Sequence, residues 1–109
     1  MAYLCKLSDI ADPGAKGIDP EGAPEQPGVI VVRHGGAVYG YVNACPHQGT
    51  PLETFPDRFL DRDGRHLICT THGARFRITD GSCVTGPCKG QSLAPVALTV
   101  EDGWVRRES

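Results

Sequence analysis

Two short clusters in this chain pair a cysteine with a histidine: Cys45-Pro46-His47 and Cys69-Thr70-Thr71-His72. They read C-x-H and C-x-x-H, with positions 48 to 68, 21 residues, between His47 and Cys69. Thiolate and imidazole are the donors that zinc and iron take. The bland alternative is two unrelated buried cysteines and two solvated histidines. With only four histidines and five cysteines in the chain, two such pairings do not read as chance. Tetrahedral zinc accepts two Cys and two His, but its usual blocks are C-x₂₋₄-C and H-x₃₋₅-H, and here each block is mixed. A binuclear iron cluster gives the mixed order a use. Each loop can send its thiolate to one iron and its imidazole to the other, so that two loops clamp both metals. Gly49 and Gly73 sit close behind the histidines and allow the backbone near approach to such a cluster. Pro46 fixes the backbone between the first pair of donors.

The elements that position these residues are short strands. Val29–His34 and Ala37–Val42 are β-rich runs around Gly35-Gly36, a two-residue hairpin signal. Asp63-Gly64 precedes Arg65–Cys69, Asp80-Gly81 divides Ala74–Thr79 from Ser82–Thr85, and Asp102-Gly103 divides Val96–Glu101 from Trp104–Arg107. Four such turns between short runs predict an all-β antiparallel meander closed into a small sandwich or barrel. No stretch carries a helical apolar period. Ala2–Leu7 reads as an edge strand. Ala11–Gly28, with Pro13, Pro20, Pro24, Pro27 and four glycines, reads as a long surface loop.

Composition narrows the function. At 109 residues and 11.6 kDa the chain is expected to be one domain over 1–109, too small for a second catalytic unit. Eleven basic against thirteen acidic residues, a net charge of −2, give no basic excess, so nucleic acid is not an expected partner. No run of hydrophobic residues exceeds the five of Met1–Cys5, with Val29–Val32 the longest aliphatic run, so no membrane span is expected. The opening MAYLCKLSDI carries an acid and no sustained apolar stretch and does not read as a secretory signal. An odd number of cysteines fits metal or redox chemistry in a reducing cytoplasm better than a disulfide framework.

The segments NACPHQGTPLE and LICTTHGARFRITDGSCVTGP together resemble a Rieske [2Fe–2S] protein, over about 43–87. The resemblance implies a small β-sandwich with a cluster-binding subdomain at one tip, here about 43–88, and one [2Fe–2S] cluster per chain. It implies that Cys45 and Cys69 ligate one iron and His47 and His72 the other. Gly86-Pro87 matches the family's proline loop, placed as a lid over the cluster. Within the family the chain resembles the ferredoxins of aromatic-ring-hydroxylating dioxygenases, which implies a flavin reductase and an oxygenase as partners. The interval between the motifs is longer than usual there, and Thr54–Arg62 supplies the excess. Phe55, Phe59 and Leu60 in it are expected to cover the sheet rather than to dock a partner. Cys88, in GPCKG, is also additional.

High-potential relatives carry a disulfide between the cluster loops and a serine and a tyrosine as hydroxyl donors. The matching positions are Thr50, Thr71, Ala74 and Phe76. The resemblance therefore implies a potential low in the Rieske range of about −150 to +300 mV. Cys5, Cys83 and Cys88 are expected as buried free thiols, with a Cys83–Cys88 pair as the alternative, His66 and His34 as surface and turn residues, Trp104 as core, and Arg106-Arg107 as a solvated end. Two classes of function stand: an electron-transfer ferredoxin, or a non-carrier. The second would be an accessory or regulatory subunit of an oxidoreductase, or a zinc-stabilised binding module.

Overall fold

A computed structural model describes residues 3–18, 28–44, 59–60, 64–69, 73–86 and 90–107. Among them lie nine strands, one three-residue 3-10 turn at Leu7–Asp9, and no α-helix. The strands are β1 (Tyr3–Lys6), β2 (Gly14–Ile18), β3 (Val29–His34), β4 (Ala37–Val42), β5 (His66–Cys69), β6 (Ala74–Arg77), β7 (Cys83–Thr85), β8 (Leu98–Glu101) and β9 (Trp104–Arg107). They form three antiparallel three-stranded sheets: β1-β9-β8, β2-β3-β4 and β5-β6-β7.

The run Val29–Val32 explains how the sheets stack. Alternate residues of a strand point to opposite faces, and all four are buried. Ile30 and Val32 join a core with Tyr41, Phe59, Leu67, Phe76 and Leu93. Val29 and Val31 join a second core with Cys5, Ile10, Val96 and Val105. The β2-β3-β4 sheet is thus a middle layer, with β5-β6-β7 against one face and β1-β9-β8 against the other. Residues 91–96 stitch the layers together. Cys83 donates its N–H to Gln91 O, Val42 donates to Ala94 O, and Val96 donates to Gly40 O, each at 2.8 Å. Tyr41 adds a side-chain tie, its hydroxyl donating to Ile78 O. Burial, and next the charge of Asp80, push that phenol up to about 12.

Three of the hairpin turns, at Gly35-Gly36, Asp80-Gly81 and Asp102-Gly103, fall where the dipeptides place them, and Asp63 lies outside the described residues. Gly35 and Gly36 have φ of +61° and +81°, the pair of left-handed residues that a two-residue hairpin between twisted strands requires. Asp12 caps this turn, its two carboxylate oxygens accepting the N–H groups of Gly35 and Gly36 at 2.9 Å each. The Gly36 amide foremost, then the Gly35 amide and the charge of Arg33, hold the Asp12 carboxyl below 3.8. A carboxyl lowered in the folded state stabilises above its unfolded value, and that contribution is lost as pH falls through the folded one. Asp12→Asn is therefore expected to lower the melting temperature at pH 6–7 and to converge with wild type as the pH falls well below 3.8. Thermal melts of both proteins across that range check it, and parallel curves would count against the cap.

Three expectations need correction. Ala11–Gly28 is not all loop: β2 occupies Gly14–Ile18 and pairs in full register with β3, Gly14 opposite Arg33 through Ile18 opposite Val29. Residues 19–27 lie outside the described set. The strands are not one continuous meander, because they divide into three separate sheets, and β1 pairs with the last strand rather than with β2, Tyr3 opposite Arg106. Trp104 is not core but 39% exposed. Cys5 lies opposite Val105 on the inward face, which turns Trp104 outward, where Lys6 Nζ stands 5.3 Å over its ring. At the C-terminal end Arg107 is exposed, whereas the Arg106 side chain is 25% exposed and pairs with Glu101 at 3.1 Å.

Candidate metal centre

The β5–β6 hairpin carries Cys69, the first residue of the C-x-x-H motif. Its register is His66 opposite Arg77, Leu67 opposite Phe76, Ile68 opposite Arg75 and Cys69 opposite Ala74. The period of two puts Leu67, Cys69, Ala74 and Phe76 on the inner face, each 0–1% exposed. Arg75 and Arg77 point outward. His66 shares the half-buried outer face of β5, opposite to Cys69, in keeping with its reading as a non-ligand. Cys69 is a free thiol at the C-terminal end of β5, where the strand gives way to the second motif. Gly73 donates its N–H to Cys69 O at 2.8 Å, so the chain reverses within this short span.

Of the four ligand residues expected from the sequence, the described set contains Cys69 alone. Cys45, His47 and His72 lie outside it, as do Thr50, Thr71, Pro87 and Cys88. Asn43 and Ala44 lead into the first motif from the end of β4. Asn43 is buried, and its N–H donates to Gly28 O at 2.8 Å, anchoring the chain just before Cys45. Among the described residues no cluster of His, Cys, Asp or Glu could by itself hold a metal, and Cys69 is the one donor of the four that they include. A soft thiol sits at a strand end, held from the core side. Beside it, a Cβ placed on Gly73 would meet nothing within 4 Å among the described residues.

The Leu67 side of the hairpin is closed by Phe59, fully buried, and by Leu60, which bridges to Leu67. Ile68 donates its N–H to Phe59 O at 2.7 Å. Phe59 thus packs the sheet, as expected; Phe55 lies outside the described residues. Cys5 and Cys83 are buried free thiols, also as expected. Burial, reinforced by Asp9, pushes the Cys5 thiol up. Cys83 directs its Sγ to Thr85 O at 3.2 Å. Sequence reasoning missed the seat that Ala74 offers to the chain after β7. A Cβ on Gly86 would fall 2.7 Å from Ala74 Cα. Only the glycine itself hinted at such an approach.

A family model, the Rieske [2Fe-2S] domain, matches residues 1–100. The chain belongs to the Rieske family. A Rieske domain carries a [2Fe–2S] cluster, and the thiol at the end of β5 suits one. Solved structures share the fold. A ferredoxin from Sphingomonas yanoikuyae B1 is 26% identical with a TM-score of 0.77, covering 99% of this Rieske chain and 97% of that one. A chain in a complex of reduced oxygenase and oxidised ferredoxin in carbazole 1,9a-dioxygenase is 24% identical with a TM-score of 0.77, covering 97% and 90%. The terminal oxygenase of carbazole 1,9a-dioxygenase from Nocardioides aromaticivorans IC177 is 20% identical with a TM-score of 0.76. It covers 96% of this chain and 29% of its own, so the Rieske fold there is one segment of a longer chain. No curated protein matches the sequence. Among the described residues no helix is long and apolar enough to cross a membrane.

Proposed function

We propose that this Rieske chain is a single-domain ferredoxin that carries electrons one at a time from a flavin reductase to an oxygenase, in the cytoplasm, without catalysing a reaction itself. The observation that carries the reading is the likeness to the Sphingomonas yanoikuyae ferredoxin, which is 26% identical with a TM-score of 0.77. The oxygenase–ferredoxin complex adds support for the kind of acceptor.

Cys45 and Cys69 are proposed to hold one iron and His47 and His72 the other, within a cluster-binding part at about 43–88. When bound, the cluster supplies a one-electron couple. The protein's part is to hold the donors, shield them and set the potential. Cys69 is held by its strand ladder to Ala74 and by the Gly73 hydrogen bond, so one thiolate is fixed by backbone structure. Potential in such centres depends on hydrogen bonds to the sulfurs and on solvent access. Ala74 and Phe76 share the inner face with Cys69, are fully buried, and offer no hydroxyl. That composition argues for the low end of the Rieske range.

The reading is tested by reconstitution. With NADH, a flavin reductase and an aromatic-ring oxygenase, product formation is expected to require the purified protein and to saturate with its concentration. A protein that the reductase reduces but that stimulates no oxygenase in a broad panel would be an accessory subunit rather than a carrier.

A further inference from the structure

Gly86 is the first residue after β7 and has a φ of +103°. A Cβ built on it would lie 2.7 Å from Ala74 Cα, 2.9 Å from Ala74 Cβ and 3.3 Å from Ala74 N. Real side-chain carbons do not come so close, so the backbone of Gly86 rests directly on that of Ala74, and only glycine permits it. Ala74 has a particular place. It opens β6, pairs with Cys69, and follows Gly73, whose N–H closes the turn onto Cys69 O. The β6–β7 ladder ends with Thr85 opposite Arg75. The next residue leaves the ladder and seats on the end of the hairpin that carries the thiol.

We infer that Gly86 is a positioning residue for the cluster, its backbone buttressing the Cys69–Ala74 end of the β5–β6 hairpin and fixing where the ligand-bearing turn stands. The inference rests on the Rieske reading, with Cys69 as a ligand. It goes beyond that reading in giving a residue with no donor atom on the metal control over the centre.

The structure supplies a matched control. Gly90 has nearly the same backbone, φ +96°, yet among the described residues a Cβ there would meet nothing within 4 Å. Gly86→Ala adds strain and a clash, whereas Gly90→Ala adds strain alone. In the cluster-loaded protein, Gly86→Ala is expected to lose its cluster to an iron chelator roughly tenfold faster or more, and to shift the midpoint potential. Gly90→Ala is expected to match wild type in both. Adding Ala74→Gly to Gly86→Ala removes one partner of the clash and is expected to restore part of each. Equal behaviour of Gly86→Ala and Gly90→Ala, or an unaltered rate and potential in Gly86→Ala, would overturn the inference. If Gly86→Ala does not fold, Ala74→Gly alone slackens the same contact without a clash. Faster cluster loss then supports the inference, and a wild-type rate overturns it. Wild-type protein lacking iron and labile sulfide would overturn the Rieske reading and this inference together.

Discussion

Cys69→Ser is expected to purify without colour, iron or labile sulfide, while wild type carries about two of each per chain with a Rieske-type spectrum. A hydroxyl is a poor substitute for thiolate on iron, and Cys69 has no neighbour in the described structure that could replace it. The next inward residues of the hairpin are Leu67, Ala74 and Phe76. Another buried thiol on the same sheet is Cys83, which opens β7 opposite Phe76 rather than beside the Cys69–Ala74 pair. Metal binding also stabilises the folded state, so the variant is expected to melt at a lower temperature than wild type. His66→Ala provides the contrast. His66 lies three residues earlier on the outer face of the same strand, and its removal is expected to leave iron, sulfide and spectrum intact. Cys45→Ser is expected to behave as Cys69→Ser does. One equivalent of zinc in wild type, or a full cluster in Cys69→Ser, would sink the ligand assignment.

The wild-type midpoint is expected between roughly −150 and 0 mV, hundreds of millivolts below the upper end of the Rieske range. The cause is chemical. A hydroxyl aimed at a cluster sulfur gains strength as the cluster gains negative charge on reduction, and so favours the reduced form. Ala74 and Phe76 are the inner-face residues next to the ligand turn, and neither has one. Ala74→Ser and Phe76→Tyr are each expected to raise the midpoint. A tenfold change in a one-electron equilibrium is about 59 mV, so a hydrogen-bond difference of ~1 kcal/mol is about 40 mV. The double variant is expected to exceed either single one, without strict additivity between such close positions. Stability offers an internal check on Phe76→Tyr. Phe76 is fully buried, and a phenol without a partner there costs about 1–3 kcal/mol. A raised midpoint with little loss of stability means that the hydroxyl found its acceptor. A wild-type value near +300 mV would contradict the reading, and unmoved midpoints would show that these positions do not reach the cluster.

The family and the hairpins were legible because their marks are local. Thiolate–imidazole pairs at short spacing mark a Rieske domain, Gly-Gly or Asp-Gly turns act within a few residues, and the strands around Gly35-Gly36 coincide with β3 and β4. What escaped depends on distant partners. Gly14–Ile18, a segment GAKGI with two glycines, has little strand preference of its own and is a strand because β3 pairs with it along five residues. The pairing of β1 with β9 spans nearly the whole chain and leaves no local mark. Trp104 was misplaced by a rule about residue type where parity decided. In WVRR the inward position belongs to Val105, and its neighbour must face outward. At the centre itself, the sequence marked Cys69 by its company, and the structure adds the strand end that holds it.

The pairing of the first and last strands bears on how such a domain can be housed. Tyr3 stands opposite Arg106, so the two ends of the fold leave it side by side, about 5 Å apart as neighbouring strands are. A host chain interrupted by this domain would need to open a gap no wider than a hairpin. The three stacked sheets would be undisturbed, because the entry and exit points lie in the outer layer across β3 from Cys69. Modularity of this kind is geometric rather than chemical. It gives a physical reason why one architecture can stand as a separate carrier and also sit as a segment within a long oxygenase chain.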